Sequence, residues 1–241
     1  MNRVALVTGA AGGIGSATVA RLTEQGYAVV GVDLEEAEES DTVAHVVGDV
    51  RDRYVLKGAV DFAIARWGRL DVAVAAAAII AGGRPLWETS DEQLRELWDV
   101  DVHGVWNTAA VAVPAMLAGP DPHGCRFVAV ASAAGSYGLF HLAGYTVAKH
   151  AVVGLVKGLA ADLVATGVTA VAVSPGSTDT PMLDATADLY GLSDPVVFSS
   201  NQLLRRVLDP AEVAATIAFC CSVEGAVLNG SVVHADGGFR P

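Results

Sequence analysis

The first 33 residues limit the possible fold more than any other stretch. An apolar run, Arg3 to Thr8 (RVALVT), breaks into a glycine-rich turn, GAAGGIG, from Gly9 to Gly15. A helical pattern follows through about Thr23 to Gln25, and Gly26 is placed to stop it. A second apolar run, Tyr27 to Val32, ends at Asp33. Glycine spacing alone would say little. Strand, glycine turn, helix, strand and terminal acid in that order predict a βαβ unit that binds a dinucleotide. Its glycines let the backbone approach a pyrophosphate, and the helix N-terminus supplies free N–H groups.

Asp33 can accept hydrogen bonds from the adenosine ribose hydroxyls. Glu35, Glu36, Glu38, Glu39 and Asp41 follow, and no Arg or Lys lies in the glycine turn or just after the second strand. A 2′-phosphate would be repelled there, so NAD is expected over NADP. The glutamate run itself reads as a solvated loop, and Asp33 carries most of the inference.

The rest of the chain keeps alternating. Strands are expected at about Thr42–Val47, Asp71–Ala78, Arg126–Ala131, Thr169–Val173 and Ser231–His234. Helices are expected at Tyr54–Trp67, from a Ser90/Gln93 capping box to Met116, through Tyr145 and Lys149 to about Thr166, and from Pro210 to Ser222. Residues 183–208 read as helical pieces between turns. Alternation of this kind implies an α/β fold with a parallel sheet covered on both faces. No linker or internal repeat interrupts it, so residues 1–241 read as one domain, with a substrate-binding segment at about 177–208. Hydrophobic residues make up 52% of the chain and charged ones 17%, enough for a large core and too few charges for disorder.

A net charge of −12 argues against a nucleic-acid or anionic-membrane surface. The longest apolar run, Val72 to Ala81, is too short to span a bilayer, and the N-terminus goes straight into a strand without a signal-peptide pattern. Cys125, Cys220 and Cys221 have no metal-ligand spacing. They read as reduced, mostly buried thiols of a cytoplasmic protein. No metal is expected.

Ser132 stands where the fifth strand runs out, and Tyr145 and Lys149 are four residues apart, on one face of a helix. A phenol with an ordinary pKa near about 10 is a poor acid or base at neutral pH. A nearby ammonium lowers that pKa, and the phenol can then trade a proton with an alcohol or carbonyl oxygen held by the serine hydroxyl. Together with a hydride carrier, this is chemistry for alcohol–ketone interconversion.

These motifs resemble the short-chain dehydrogenase/reductase family over essentially the whole chain. Thr8, Gly9, Gly13 and Gly15 match its glycine motif, with Ile14 inside it. Asp49-Val50 match the pair that contacts adenine. Ser132, Tyr145 and Lys149 match the catalytic residues, and Pro175, Gly176 and Thr180 the segment beside the nicotinamide, with Thr178 between them. Asp236-Gly237-Gly238 match a late motif. The resemblance implies a Rossmann-type doubly wound sheet of seven parallel strands. It also implies cofactor contacts from Leu34, Ala76 and Ala77, and a Lys149 that hydrogen-bonds the nicotinamide ribose. A homotetramer is implied, with Glu92–Met116 and Ala143–Thr166 pairing across subunits.

Two departures stand out. The family's N-N-A-G is here Ala75-Ala76-Ala77-Ala78, which loses amide side chains and puts alanine where glycine gives backbone freedom. The family's fourth catalytic position, an asparagine, aligns with Asp101 in V-D-V-H-G. In the family that residue acts largely through its backbone carbonyl. A carboxylate there would raise the lysine pKa and alter the pH optimum. The segments AAAAIIAGGRPLWE, AAVAVPAML and SPGSTDTPMLDATADLYGL are similar to mycofactocin-associated actinobacterial members, which implies a non-exchanging NAD reoxidised by a redox partner.

Leu139, Phe140, Leu142, Met182, Leu183, Leu189, Tyr190 and Phe198 suggest an apolar pocket for a small-molecule alcohol or ketone. Arg84 is the nearer of the few cations that a carboxylate substrate could use, the next being Arg205-Arg206. His141 could reach the pocket, while His103 and His150 read as structural. Other readings are an epimerase or dehydratase on the same fold and a non-catalytic NAD sensor.

Overall fold

Strands made of unbroken runs of Val and Ala bury both their faces, which suits the middle of a parallel sheet. The structure, a computed structural model, describes residues 3–241. It contains β1 (Val4–Thr8), α1 (Gly13–Glu24), β2 (Ala28–Asp33), β3 (Val43–Val47), α2 (Arg53–Trp67), β4 (Val72–Ala75), α3 (Asp91–Leu97), α4 (Gly104–Ala118), β5 (Arg126–Val130), α5 (Ala143–Asp162), β6 (Thr169–Pro175), α6 (Pro181–Leu189), α7 (Pro210–Cys221) and β7 (Val232–Ala235). All seven strands pair in parallel in the order β3-β2-β1-β4-β5-β6-β7. The expected doubly wound α/β architecture is therefore present.

The period of two along each strand divides the core. Val4 and Leu6 of β1 face one layer, packed with Leu56 and Val60 of α2, Val105 and Met116 of α4, and Val152 of α5. Ala5 and Val7 face the other, with Leu22 of α1 and Val213 and Ile217 of α7. Burial of these side chains away from water is the main force holding helices to the sheet. The strand order reverses between β1 and β4, which opens a crevice at their C-terminal ends.

Three elements differ from the sequence expectation. β4 stops at Ala75 instead of Ala78 because Ala76 N–H turns to Thr8, donating to its Oγ1 and its carbonyl at 3.2 Å each, and Ala77 N–H donates to Thr8 Oγ1 at 3.4 Å. Ala78 needs no left-handed backbone. That conformation falls on Gly82 and Gly83, so the alanine run carries no strain at this turn. The expected helix from Ser90 is capped as read, with Ser90 Oγ accepting from Gln93 N at 3.2 Å. Between α3 and α4, however, it widens into a π-helical segment, Trp98–His103. α5 ends at Asp162, short of Thr166, because Ala165 takes a φ of +63°.

Candidate active site

A cleft of about 1240 Å³ follows the C-terminal ends of the strands. Its wall includes Gly9, Gly13, Ile14 and Gly15 after β1, Asp33 and Leu34 at the end of β2, and Asp49 and Val50 after β3. It continues through Ala76 and Ala77 after β4, Ser132 after β5, Tyr145 and Lys149 on α5, and Pro175, Gly176, Thr178 and Thr180 at the end of β6 and beyond. The sheet thus brings every one of the catalytic and cofactor-binding residues expected from the sequence to one trough except Asp101, which is fully buried behind it.

The glycine turn is shaped by close approach. A Cβ on Gly15 would sit 1.8 Å from the Gly9 carbonyl oxygen, and one on Gly13 would meet Thr180 Cγ2 at 2.4 Å. Gly9 takes a φ of +69° and packs against the backbone of Ala77. α1 begins without a side-chain cap, so its first-turn N–H groups remain available at the cleft. A backbone-lined cradle at a helix N-terminus fits a pyrophosphate. Asp33 Oδ2 accepts from Ala11 N at 2.9 Å, which ties the end of β2 to this turn. Next to it, the half-exposed Arg51 also lines the cleft, and the sequence reading missed it. Its guanidinium is committed to Asp49, at 2.5 and 2.8 Å from Oδ2, and it holds that carboxyl below the usual carboxylate range. Only its position two residues after Asp49 hinted at this.

The reactive end is buried. Tyr145 and Lys149 face each other as the four-residue spacing predicts, with Nζ 5.4 Å from the ring centroid. Ser132 Oγ accepts from Ala134 N at 3.1 Å, which turns the serine at the end of β5. Burial raises the Tyr145 pKa; Lys149 opposes the rise, Asp101 adds to it, and a Ser132 hydrogen bond favours the phenolate. The lowering expected from Lys149 is thus present but outweighed. Burial disfavours the Lys149 ammonium, yet Asp101 and Tyr145 together carry its pKa upward. Lys149 Nζ lies 3.1 Å from Asp101 Oδ2 and 3.5 Å from the Val130 carbonyl oxygen.

Beyond Tyr145 the cleft is apolar. Leu139, Phe140, Leu142, Met182, Leu183, Tyr190 and Phe198 line it as expected, joined by Ile79 and Ile80, while Leu189 packs behind them. The loop after β4 and the segment before α5 are tied by Gly83 N donating to the His141 carbonyl at 2.9 Å. Tyr190 donates to the Phe140 carbonyl oxygen. Arg84, Arg205 and Arg206 do not line the cleft; among the described residues its only cations are Arg51 and Lys149. His141 lies outside it, and His103 and His150 are exposed. Cys125, Cys220 and Cys221 are buried and free. No cluster of metal-ligating side chains and no helix long and apolar enough to cross a membrane occurs among the described residues.

Comparison with known proteins gives a consistent result. A family profile described as enoyl-(acyl carrier protein) reductase matches residues 9–240. The A-factor type gamma-butyrolactone 1'-reductase (1S-forming) of Streptomyces virginiae is 34% identical, over 99% of this chain and 95% of its own length. The (-)-trans-carveol dehydrogenase of Rhodococcus erythropolis is 32% identical, over 98% and 96%. The crystal structure of 3-ketoacyl-(acyl-carrier-protein) reductase from Brucella melitensis complexed with NADH superposes with a TM-score of 0.87 at 27% identity, covering 98% of this chain and 97% of that one.

Proposed function

This chain belongs to the short-chain dehydrogenase/reductase family, with alcohol dehydrogenases and reductases among its relatives, and we propose that it interconverts a neutral, apolar secondary alcohol and its ketone with NAD. The observation that carries this reading is the single trough in which a backbone cradle, the Ser132–Tyr145–Lys149 group and an apolar pocket follow one another. The cradle around Gly9–Gly15 fits a dinucleotide pyrophosphate, Asp33 the adenosine ribose hydroxyls, and Thr178 and Thr180 the nicotinamide end. When bound, NAD supplies the acceptor for the hydride that leaves the carbinol carbon.

Ser132 donates its hydroxyl hydrogen to the substrate oxygen and so fixes it against Tyr145. Tyr145 takes the alcohol proton during oxidation and returns one to the ketone oxygen during reduction. Lys149 favours the phenolate and directs its remaining donors toward the cofactor ribose. NAD is favoured over NADP because the carboxylate of Asp33 stands where a 2′-phosphate would approach, and Arg51, the cation at that end, is spent on Asp49. Neutral substrates are favoured over carboxylates and acyl thioesters because the apolar half of the cleft holds no cation. The exposed Trp106 on α4 and Val147 on α5 fit a homotetramer joined through these helices, and light scattering would measure it.

Tyr145→Phe, assayed with NAD and a panel of cyclic secondary alcohols, is expected to lose at least ~10²-fold in kcat/KM while NAD binding stays intact. Near-native turnover by this variant would sink the assignment. Running the assay on exhaustively dialysed protein without added NAD also shows whether the cofactor exchanges.

A further inference from the structure

Asp101 sits in the π-helical segment between α3 and α4, where it is completely excluded from solvent. Its two oxygens reach different parts of the site. Oδ1 accepts from Ile79 N at 2.9 Å, in the loop after β4 that lines the pocket. Oδ2 has no directed hydrogen bond and faces Lys149 Nζ at 3.1 Å. Lys149 is itself only 2% exposed, and its other polar contact is the long one to the Val130 carbonyl oxygen. Neither charge is tolerable at such a depth without the other. A helix widened by one residue per turn is a common device for aiming a side chain at a functional centre.

Resting on the assignment of Tyr145 and Lys149 above, we propose that Asp101 is a positioning residue: its carboxylate locks Lys149 and the Ile79 loop into one arrangement, and its charge makes the site work at higher pH than a neutral residue there would.

The sign follows from charge balance. With Asp101 in place, the protonated Tyr145–Lys149 pair is a cation beside an anion. With a neutral amide, it is a buried cation with no partner. It then gives up its first proton at lower pH, whichever of the two groups loses it. Alcohol oxidation needs that proton vacancy and ketone reduction needs it filled, so both limbs of the pH profile move together. Among the described residues, Lys149 and Asp101 are the charged groups that act on Tyr145. Glu96, Tyr190, Asp33, Glu35, Asp49 and Arg51 line other parts of the cleft and do not enter.

The test is Asp101→Asn, which keeps an acceptor for Ile79 N–H and removes the charge. Its kcat/KM–pH profile, in both directions, is expected to move down by about one unit or more. NMR of isotope-labelled Tyr Cζ and Lys Nζ through a pH titration of the cofactor-free protein is expected to show the pair's first proton loss moving the same way. A profile and titration that stay where the native protein has them overturn the proposal. If Asp101→Asn fails to fold, Asp101→Ser takes its place; if neither folds, Asp101 is a structural clamp only and the proposal falls. Should Tyr145→Phe retain turnover, the functional reading fails, while the NMR titration still decides the role of Asp101.

Discussion

The two ends of the sheet treat buried charge differently. At the N-terminal end, Arg126 is 1% exposed and donates to four carbonyls, those of Ser222, Val223, His123 and Cys125, at 2.6 to 3.0 Å. Asp71, equally buried, accepts from Val4 N at 2.8 Å and is gripped by Arg69 at 2.5 to 2.9 Å. Arg3 donates to Tyr27 Oη at 2.6 Å and to the Cys221 carbonyl at 3.0 Å. At the C-terminal end, Lys149 and Asp101 make one long and one ordinary directed hydrogen bond besides their shared ion pair. Among the described residues, the buried polar atoms without a directed hydrogen bond are His45 Nδ1, Asp101 Oδ2, Ser174 Oγ and Gln202 Oε1; the last three lie at the C-terminal end and none at the N-terminal end. Buried polar groups are normally satisfied, and exceptions gather where a protein binds or reacts. One end is finished as structure, and the other keeps donors and acceptors in reserve.

The sharpest way to break this contrast is Arg126→Met. It removes the guanidinium from four carbonyl oxygens, of which those of Cys125 and Val223 keep a backbone N–H from Thr169 and Ala226, and is expected to cost about 2 to 4 kcal/mol of folding stability. Urea denaturation measures it. The folded fraction should turn over at the native rate, since Arg126 is at the opposite end from the cleft. A stability loss below about 1 kcal/mol would show that the network is not holding that end together.

At the active end, Lys149→Met should destabilise by about 3 kcal/mol, because Asp101 is then a buried charge with no partner. Adding Asp101→Asn removes the orphan and keeps the Ile79 hydrogen bond, so the double variant should recover most of the loss. Both proteins should be inactive. The same denaturation assay decides the matter: a double variant no more stable than Lys149→Met would mean that the ion pair is not what balances the site. No such recovery is available for Arg126, whose partners are backbone carbonyls that cannot be removed.

This contrast also marks what the sequence could reveal. The alternation of strands and helices, the glycine turn and the Tyr145–Lys149 face were all legible, because each rests on a local period or spacing. Gly26, Gly68 and Gly167 stop helices or their following turns with the left-handed backbone that glycine permits. What stayed hidden depends on contacts between distant segments or on depth. Arg126 reads as the first residue of an ordinary strand, and nothing local says that four carbonyls close around it. Asp101 could be placed beside Lys149 only through a family resemblance, and the π-helical segment that turns it inward left no mark in the residue pattern. The net direction of the Tyr145 pKa stayed hidden for the same reason: the lowering by the lysine four residues away is legible in the sequence and is present, whereas the burial that outweighs it is not legible. The substrate half was readable as apolar because Leu139, Leu142, Met182 and Leu183 are short-range neighbours of recognised motifs. The role of Leu189, one shell behind, was not.

Asp33 lies between the two kinds of end, and it offers the smallest and most discriminating prediction. Its Oδ2 supports the glycine turn through Ala11 N, which is a structural task, while its carboxylate also lines the cleft, where the proposed reading gives it the functional task of meeting a ribose 2′ substituent. Asp33→Ala removes both and would confound them. Asp33→Asn keeps an acceptor for Ala11 N–H, gives up the long, exposed contact from Glu35 N at 3.3 Å, and removes the charge. Folding stability should then stay within about 0.5 kcal/mol of native, as for a surface change that breaks no cap or network. The ratio of kcat/KM for NAD over NADP should narrow by about tenfold, the equivalent of ~1.4 kcal/mol. Asp33→Ala should narrow the same ratio and also weaken binding of NAD itself, because the turn that cradles the pyrophosphate loses its tether. An Asp33→Asn variant with native preference would assign cofactor choice to the shape of the turn rather than to charge. The carboxylate would then belong with Asp71 and Arg126, among the residues that hold the fold, and not with those that choose what the cleft accepts.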